Sequence, residues 1–189
     1  MLCFFGGTDA GDAAATVTGW AAATGAPFAA TVVAARPDTT AALAAQPLAP
    51  GQSVTPIRPT GRLLARAAEA DLVVTAAGTA TWELLCIGVP TALIWVAGNQ
   101  RQAYEATVGS GLAAGLGRPT APAAGAVATL RTLLTDPTAR AELAARGHGL
   151  IDGRGRERVA DALFDAACRP CAARHRGSGG QRAVVDQVP

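Results

Sequence analysis

The feature that most constrains this chain is a repeated order: a short apolar run, a loop of glycine and other small residues, then an alanine-rich stretch long enough for a helix. Runs such as Leu72-Val73-Val74-Thr75 show no polar alternation. Both faces of such a strand must be covered, which is the condition of a parallel sheet between helical layers. The repeat therefore predicts an α/β fold, a Rossmann-like parallel sheet with helices on both faces. Strands are expected over 2–5, 28–35, 53–57, 72–75 and 91–96, with 53–57 the weakest, and the glycine-punctuated 111–117 has room for one more edge strand. Helices are expected over 12–24, from Asp38 or Thr39 to 46, and over 61–70, 79–87, 99–108, 123–134, 138–146 and 155–167. Asp38 or Thr39 can cap the second of these, and Gly88 ends the fourth.

With half of its 189 residues apolar, the chain is long enough for one α/β domain and short for two. Much of that apolar content is alanine, and the most apolar segment, 86–98, holds Pro90 and falls short of the roughly 20 residues of a bilayer-spanning helix. No membrane span is expected. The first residues read as a strand entering a glycine loop, not as a basic then apolar leader, so the cytoplasm is the expected location. The net charge is +2, every basic side chain is arginine, and these are scattered as far as the C-terminal region, which does not make the basic face of a nucleic-acid binder. Of four cysteines, Cys3 and Cys86 lie in apolar contexts and no compact spacing links all four, so buried free thiols are expected. From Cys168 the composition shifts to Arg, Gly, Ser and Gln, which predicts a domain over 1–167 and a disordered tail over 168–189.

Two loops carry the chemistry. Gly6-Gly7-Thr8-Asp9-Ala10-Gly11-Asp12 joins the first strand to the first helix. Backbone N–H groups unobstructed by side chains, beside the positive end of a helix dipole, form an anion site in outline. The loop is neither a dinucleotide fingerprint, since the G-x-G-x-x-G spacing is absent, nor a Walker loop, since the chain has no lysine. A tight turn in which Asp9 or Asp12 caps the helix fits the same residues. The second loop, Ala76-Ala77-Gly78-Thr79 with Glu83 one helical turn on, repeats the strand, small-residue loop and helix start. Gly78 and Thr79 can meet phosphate through N–H and hydroxyl donors, and the Glu83 carboxylate can accept from the vicinal hydroxyls of a ribose. A glutamate placed there for the helix dipole alone fits equally. Two such loops at the carboxyl ends of parallel strands make a crevice, where open α/β sheets bind ligands.

Phe4-Phe5-Gly6-Gly7-Thr8-Asp9, the segment from Ala70 through Gly78-Thr79-Ala80-Thr81-Trp82-Glu83 to Leu84, Gly88-Val89-Pro90-Thr91, Asn99-Gln100 and Ile151-Asp152-Gly153-Arg154-Gly155-Arg156-Glu157-Arg158-Val159 follow one another in this order. Together they resemble the C-terminal half of the UDP-2,4-diacetamido-2,4,6-trideoxy-β-L-altropyranose hydrolases of pseudaminic-acid pathways and of the related spore-coat polysaccharide biosynthesis proteins. The resemblance covers nearly all of 2–167. It implies the C-terminal half of a glycosyltransferase-B architecture, related to the lipid II N-acetylglucosaminyltransferase, that grips UDP or a UDP-sugar. Carried to this chain, it places Gly6, Gly7, Thr8, Gly78 and Thr79 at the phosphates and Glu83 on the ribose. It turns Asn99 and Gln100 toward the sugar or diphosphate and sets Asp152 beside the cleft between domains, with Asn99 and Asp152 the residues nearest a catalytic role. In the resembled hydrolases a histidine of an N-terminal domain assists water in displacing UDP. This chain opens at the strand that should follow that domain, so a partner domain or chain is expected to complete it. A half-subunit of a glycosyltransferase and a non-catalytic nucleotide-binding remnant fit the same residues. No cofactor is implied.

The remaining signals favour structure. His148, between Gly147 and Gly149 after a helix, reads as a loop or C-cap residue. Cys168, Cys171 and His175 would need a fourth ligand to hold zinc, so no metal is expected. Trp20, Trp82 and Trp95 are expected in core packing.

Overall fold

The computed structural model describes residues 1–9 and 11–173, the last five of these by backbone alone. The expectations for 174–189, His175 included, and for a Cys168–Cys171 pair lie outside what is described.

Seven strands form one sheet: β1 (Leu2–Phe4), β2 (Phe28–Val33), β3 (Gln52–Ile57), β4 (Val73–Ala76), β5 (Thr91–Ile94), β6 (Ala114–Arg118) and β7 (Ala121–Pro122). Their order is β3-β2-β1-β4-β5-β6-β7, parallel throughout except for the final β6–β7 pair. The helices are α1 (Ala13–Ala23), α2 (Pro37–Ala44), α3 (Leu63–Ala68), α4 (Ala80–Ile87), α5 (Arg101–Gly109), α6 (Ala126–Thr135), α7 (Pro137–His148) and α8 (Gly155–Ala173), with a 3-10 turn at Gly98–Gln100. The α/β reading holds, and every expected strand is present.

The central strands are buried along their whole length, as their unbroken apolar runs require. One apolar cluster joins Cys3, Val32, Val74 and Ile94 to Val17 of α1 and Leu130 of α6, and a second joins Leu2, Phe4 and Val73 to Ala67 of α3 and Leu84 of α4. Alternate side chains of the same strands thus feed two layers. β3, expected as the weakest strand, pairs with β2 along all six residues. Pro56 is tolerated because β3 is an edge and needs hydrogen bonds on one side only. β7 was not foreseen. It exists because the turn at Pro119-Thr120 folds the chain back antiparallel onto β6, where Gly117, at φ +85°, lies so close to the Ala123 nitrogen that a Cβ would overlap it.

The chain divides into two compact units, Met1–Asp152 and a second beginning at Gly153. In the second, α8 runs without a break to Ala173, across the composition change at Cys168. Within the second unit, Val159, Leu163 and Phe164 are exposed on α8. Among the described residues no helix is long and apolar enough to cross a membrane.

Candidate functional site

β1 and β4 are neighbours, yet the chain leaves β1 toward β2 and β3 and leaves β4 toward β5 and β6. Their connections therefore diverge and open a crevice at the carboxyl edge, the switch point of an open α/β sheet. A cavity of about 340 Å³ lies there, within the range of small-molecule sites. Gly6 and Gly7 form one wall and Gly78, Thr79 and Ala80 another, while Gln100 reaches in from the loop after β5. Phe4, Phe5, Val33 and Leu63 supply an apolar floor and side, with Pro59 and Thr60 from the connection between β3 and α3.

Gly6 adopts φ +80°, which L side chains rarely do, and a methyl on either Gly6 or Gly7 would meet no atom within 4 Å. Glycine at Gly7 is thus not required by the protein's own packing. The two acids of this loop are both engaged. Asp9 is buried, accepts from the Ala14 N–H of α1 at 3.0 Å and from Thr39 Oγ1 of α2 at 3.2 Å, and itself takes φ +47°. Asp12 pairs with Arg36. Asp9 thus ties the start of α1, as the turn reading expects, and Gly6 and Gly7 line the cavity.

At the second loop, the Gly78 N–H is spent on the Ala76 carbonyl at 2.8 Å, so Gly78 offers space where a phosphate donor was expected. The α4 hydrogen bonds begin with Thr81 N–H to Gly78 and Trp82 N–H to Thr79. The Thr79 and Ala80 amides stand ahead of them at the positive end of the helix. Gln100 is fixed by its Oε1, which accepts from the Val96 N–H at 2.9 Å.

Of the residues singled out from the sequence, Gly6, Gly7, Gly78, Thr79 and Gln100 converge on the cavity. Thr8, Glu83, Asn99 and Asp152 are exposed and do not line it. Glu83 sits in the first turn of α4, one turn past Thr79. Asp152 ends the first unit. Pro59, Thr60 and Leu63 were missed; their signal was only position, at the carboxyl end of an expected strand.

His148 closes α7 with Nδ1 3.1 Å from the Cys86 carbonyl, packed so tightly on Gly88 that a Cβ there would lie 3.0 Å from the ring. The ring N–H donates to the open carboxyl end of α4, so His148 caps a neighbouring helix and not its own. Burial pushes the Cys3 thiol up to about 12, leaving it inert, and Cys86 is half-buried and free. Trp20 packs against the core, but Trp82 is 43% exposed, contrary to expectation, because the buried stripe of α4 runs through Thr81, Leu84 and Leu85. Trp95 is half-buried beneath Arg118, whose guanidinium lies 4.5 Å from the ring centroid.

No family model and no curated protein matches the sequence. Solved structures do. The crystal structure of Acinetobacter baumannii MurG aligns with a TM-score of 0.68 at 17% identity, over 87% of this chain and 49% of that one. The fold is glycosyltransferase-B-like. A glycotransferase of kitacinnamycin aligns with a TM-score of 0.60 at 22% identity, over 87% of this chain and 42% of that one. The chain thus spans about half the length of these neighbours or less. The part it shares is the Rossmann-like C-terminal half.

Proposed function

We propose that this chain binds UDP or a UDP-sugar and forms the C-terminal half of a UDP-sugar hydrolase of the pseudaminic-acid or spore-coat type. An N-terminal domain or partner chain would complete it. The observation that carries the proposal is the cavity at the switch point, where Gly6, Gly7, Gly78, Thr79 and Gln100, drawn from three separate loops, meet.

In this reading the diphosphate lies between the first loop and the start of α4, where the Thr79 and Ala80 amides and the Thr79 hydroxyl take up its charge. The same donors stabilise UDP as it departs, when negative charge on the leaving oxygen grows. Glu83, exposed and unobstructed, accepts from the ribose hydroxyls, and Gln100, with Asn99 beside it, faces the sugar. The apolar wall of Phe4, Phe5 and Leu63 receives the flat base. A histidine on the completing half supplies general acid or base, and Asp152 stands at the edge of the first unit toward it. Free thiols at Cys3 and Cys86 suit the reducing cytoplasm. Glycosyl transfer is the second reading, favoured by the two solved neighbours, one of them described as a glycotransferase; the same grip on UDP serves both.

Calorimetric titration of UDP into the wild-type chain and Glu83→Ala tests the proposal. Weak but measurable binding is expected in the wild type, with a loss of about tenfold in the variant, the worth of one charge-assisted hydrogen bond. Absence of wild-type binding refutes the nucleotide assignment, and equal binding removes Glu83 from it.

A further inference from the structure

Arg118 is the last residue of β6, and Trp95 directly follows β5, so both stand on the same carboxyl edge as the cavity. The register fixes how far along that edge. Ala76 of β4 pairs with Ile94 of β5, and Ile94 pairs with Gly117 of β6. Gly78 and Arg118 therefore stand two strand spacings apart, about 10 Å, on the side of the crevice away from Pro59, Thr60 and Leu63.

The Arg118 guanidinium lies over Trp95, and Arg101, on α5, approaches the same indole at 6.0 Å. Arg101 is already paired with Glu105 at 2.7 Å. Arg118 is not: among the described residues no carboxylate lies within ion-pair distance, and its Nε is buried without a hydrogen-bond partner. A buried donor on a cation is costly to leave unmet. The indole attracts the cation through its ring face but offers no acceptor to it. The guanidinium thus rests on the indole with an unmet donor and no carboxylate partner among the described residues, and its planar fork is of the form suited to a carboxylate.

We infer that Arg118, held on Trp95, recognises a carboxylate on the sugar of the bound nucleotide, so that the preferred ligand is an acidic UDP-sugar. The inference rests on the UDP reading above. If the diphosphate occupies the loops at β1 and β4 and the base lies toward Pro59 and Leu63, the sugar extends toward β5 and β6. A second phosphate is not needed to fill the Arg118 site, because the diphosphate is already accommodated two strands away.

Titrations of UDP, UDP-glucose and UDP-glucuronic acid into wild type, Arg118→Gln and Arg101→Gln decide the matter. UDP-glucuronic acid is expected to bind the wild type roughly tenfold more tightly than UDP-glucose, the ratio that one charge-assisted hydrogen bond supplies. Arg118→Gln abolishes that ratio while leaving UDP itself unchanged, and Arg101→Gln preserves it. Equal wild-type affinity for the two sugars, or a preference that survives Arg118→Gln, overturns the inference and leaves UDP binding intact. Failure of all three ligands to bind the wild type overturns both. Should Arg118→Gln lose UDP as well, Arg118→Lys, which keeps the charge and stem but not the fork, decides: a reduced preference supports the inference and an undiminished one refutes it.

Discussion

Gly7→Ala separates what the first loop does for the fold from what it does for a ligand. Gly7 lines the cavity, has no positive φ, and a Cβ placed on it meets nothing within 4 Å. The substitution therefore costs the folded state neither strain nor overlap, and it narrows the unfolded ensemble. Stability should rise by about 0.4–1 kcal/mol, a melting shift of roughly 1–4 °C for a chain of this size. Binding responds in the opposite sense. An amide reaches a phosphate oxygen at about 2.9 Å, and a methyl group beside it holds that oxygen beyond bonding range. Losing one hydrogen bond to a charged group costs about 1.5–3 kcal/mol, so UDP affinity should fall by roughly 10- to 150-fold. Thermal unfolding read beside UDP calorimetry on the same sample gives both numbers. A variant that melts no lower than wild type and binds UDP equally well refutes the phosphate role of the loop; one that melts lower refutes the packing argument.

Gly117→Ala is expected to be among the most disruptive single-methyl changes, since it adds positive-φ strain to a contact with the backbone nitrogen of Ala123; a loss of about 3 kcal/mol or more in denaturant unfolding is expected. Asp9→Ala removes the acceptor for Ala14 N–H and Thr39 Oγ1 and should cost about 2 kcal/mol, with a urea midpoint close to wild type pointing to a replacement partner. The Cys3 thiol titrates higher folded, at about 12, than its ordinary value of 9.0. The folded state therefore retains a proton that the unfolded chain gives up, and stability present below pH 9 should fall as pH rises from about 9 toward 12. Comparing Cys3→Ala with wild type in alkaline unfolding isolates that slope, and peptide mapping after thiol labelling at pH 8 should find Cys3 unmodified and the exposed Cys168 modified.

The sheet was legible because a strand buried on both faces has to be apolar throughout, and Leu72-Val73-Val74-Thr75 states that without long-range information. The first loop was legible for a related reason: only small residues permit close backbone approach, and Gly6-Gly7 follows directly on a strand. What escaped depends on pairing between distant segments. β7 is too short for any pattern and follows from the turn at Pro119-Thr120 that returns the chain beside β6. The side of the cavity formed by Pro59, Thr60 and Leu63 depends on β3 lying two strands from β1. The Gly78 amide looks free in sequence but is consumed by the Ala76 carbonyl two residues back. Trp82 was misplaced because an apolar side chain within an alanine-rich helix was read as core without regard to the phase of the stripe.

Read as a string, the loop between β1 and α1 is acidic, carrying Asp9 and Asp12 and no basic residue, a poor prospect for an anion. The folded loop ties both carboxylates to partners of its own. Asp9 is turned onto the donors of α1 and α2, and Asp12 is paired with the Arg36 cation, so both carboxylates are held by partners outside the cavity while Gly6 and Gly7 line it. The placement of charge at such a site belongs to tethering, and a substitution at Thr39 or Arg36, neither of which lines the cavity, would remove one tether of a carboxylate in the first loop.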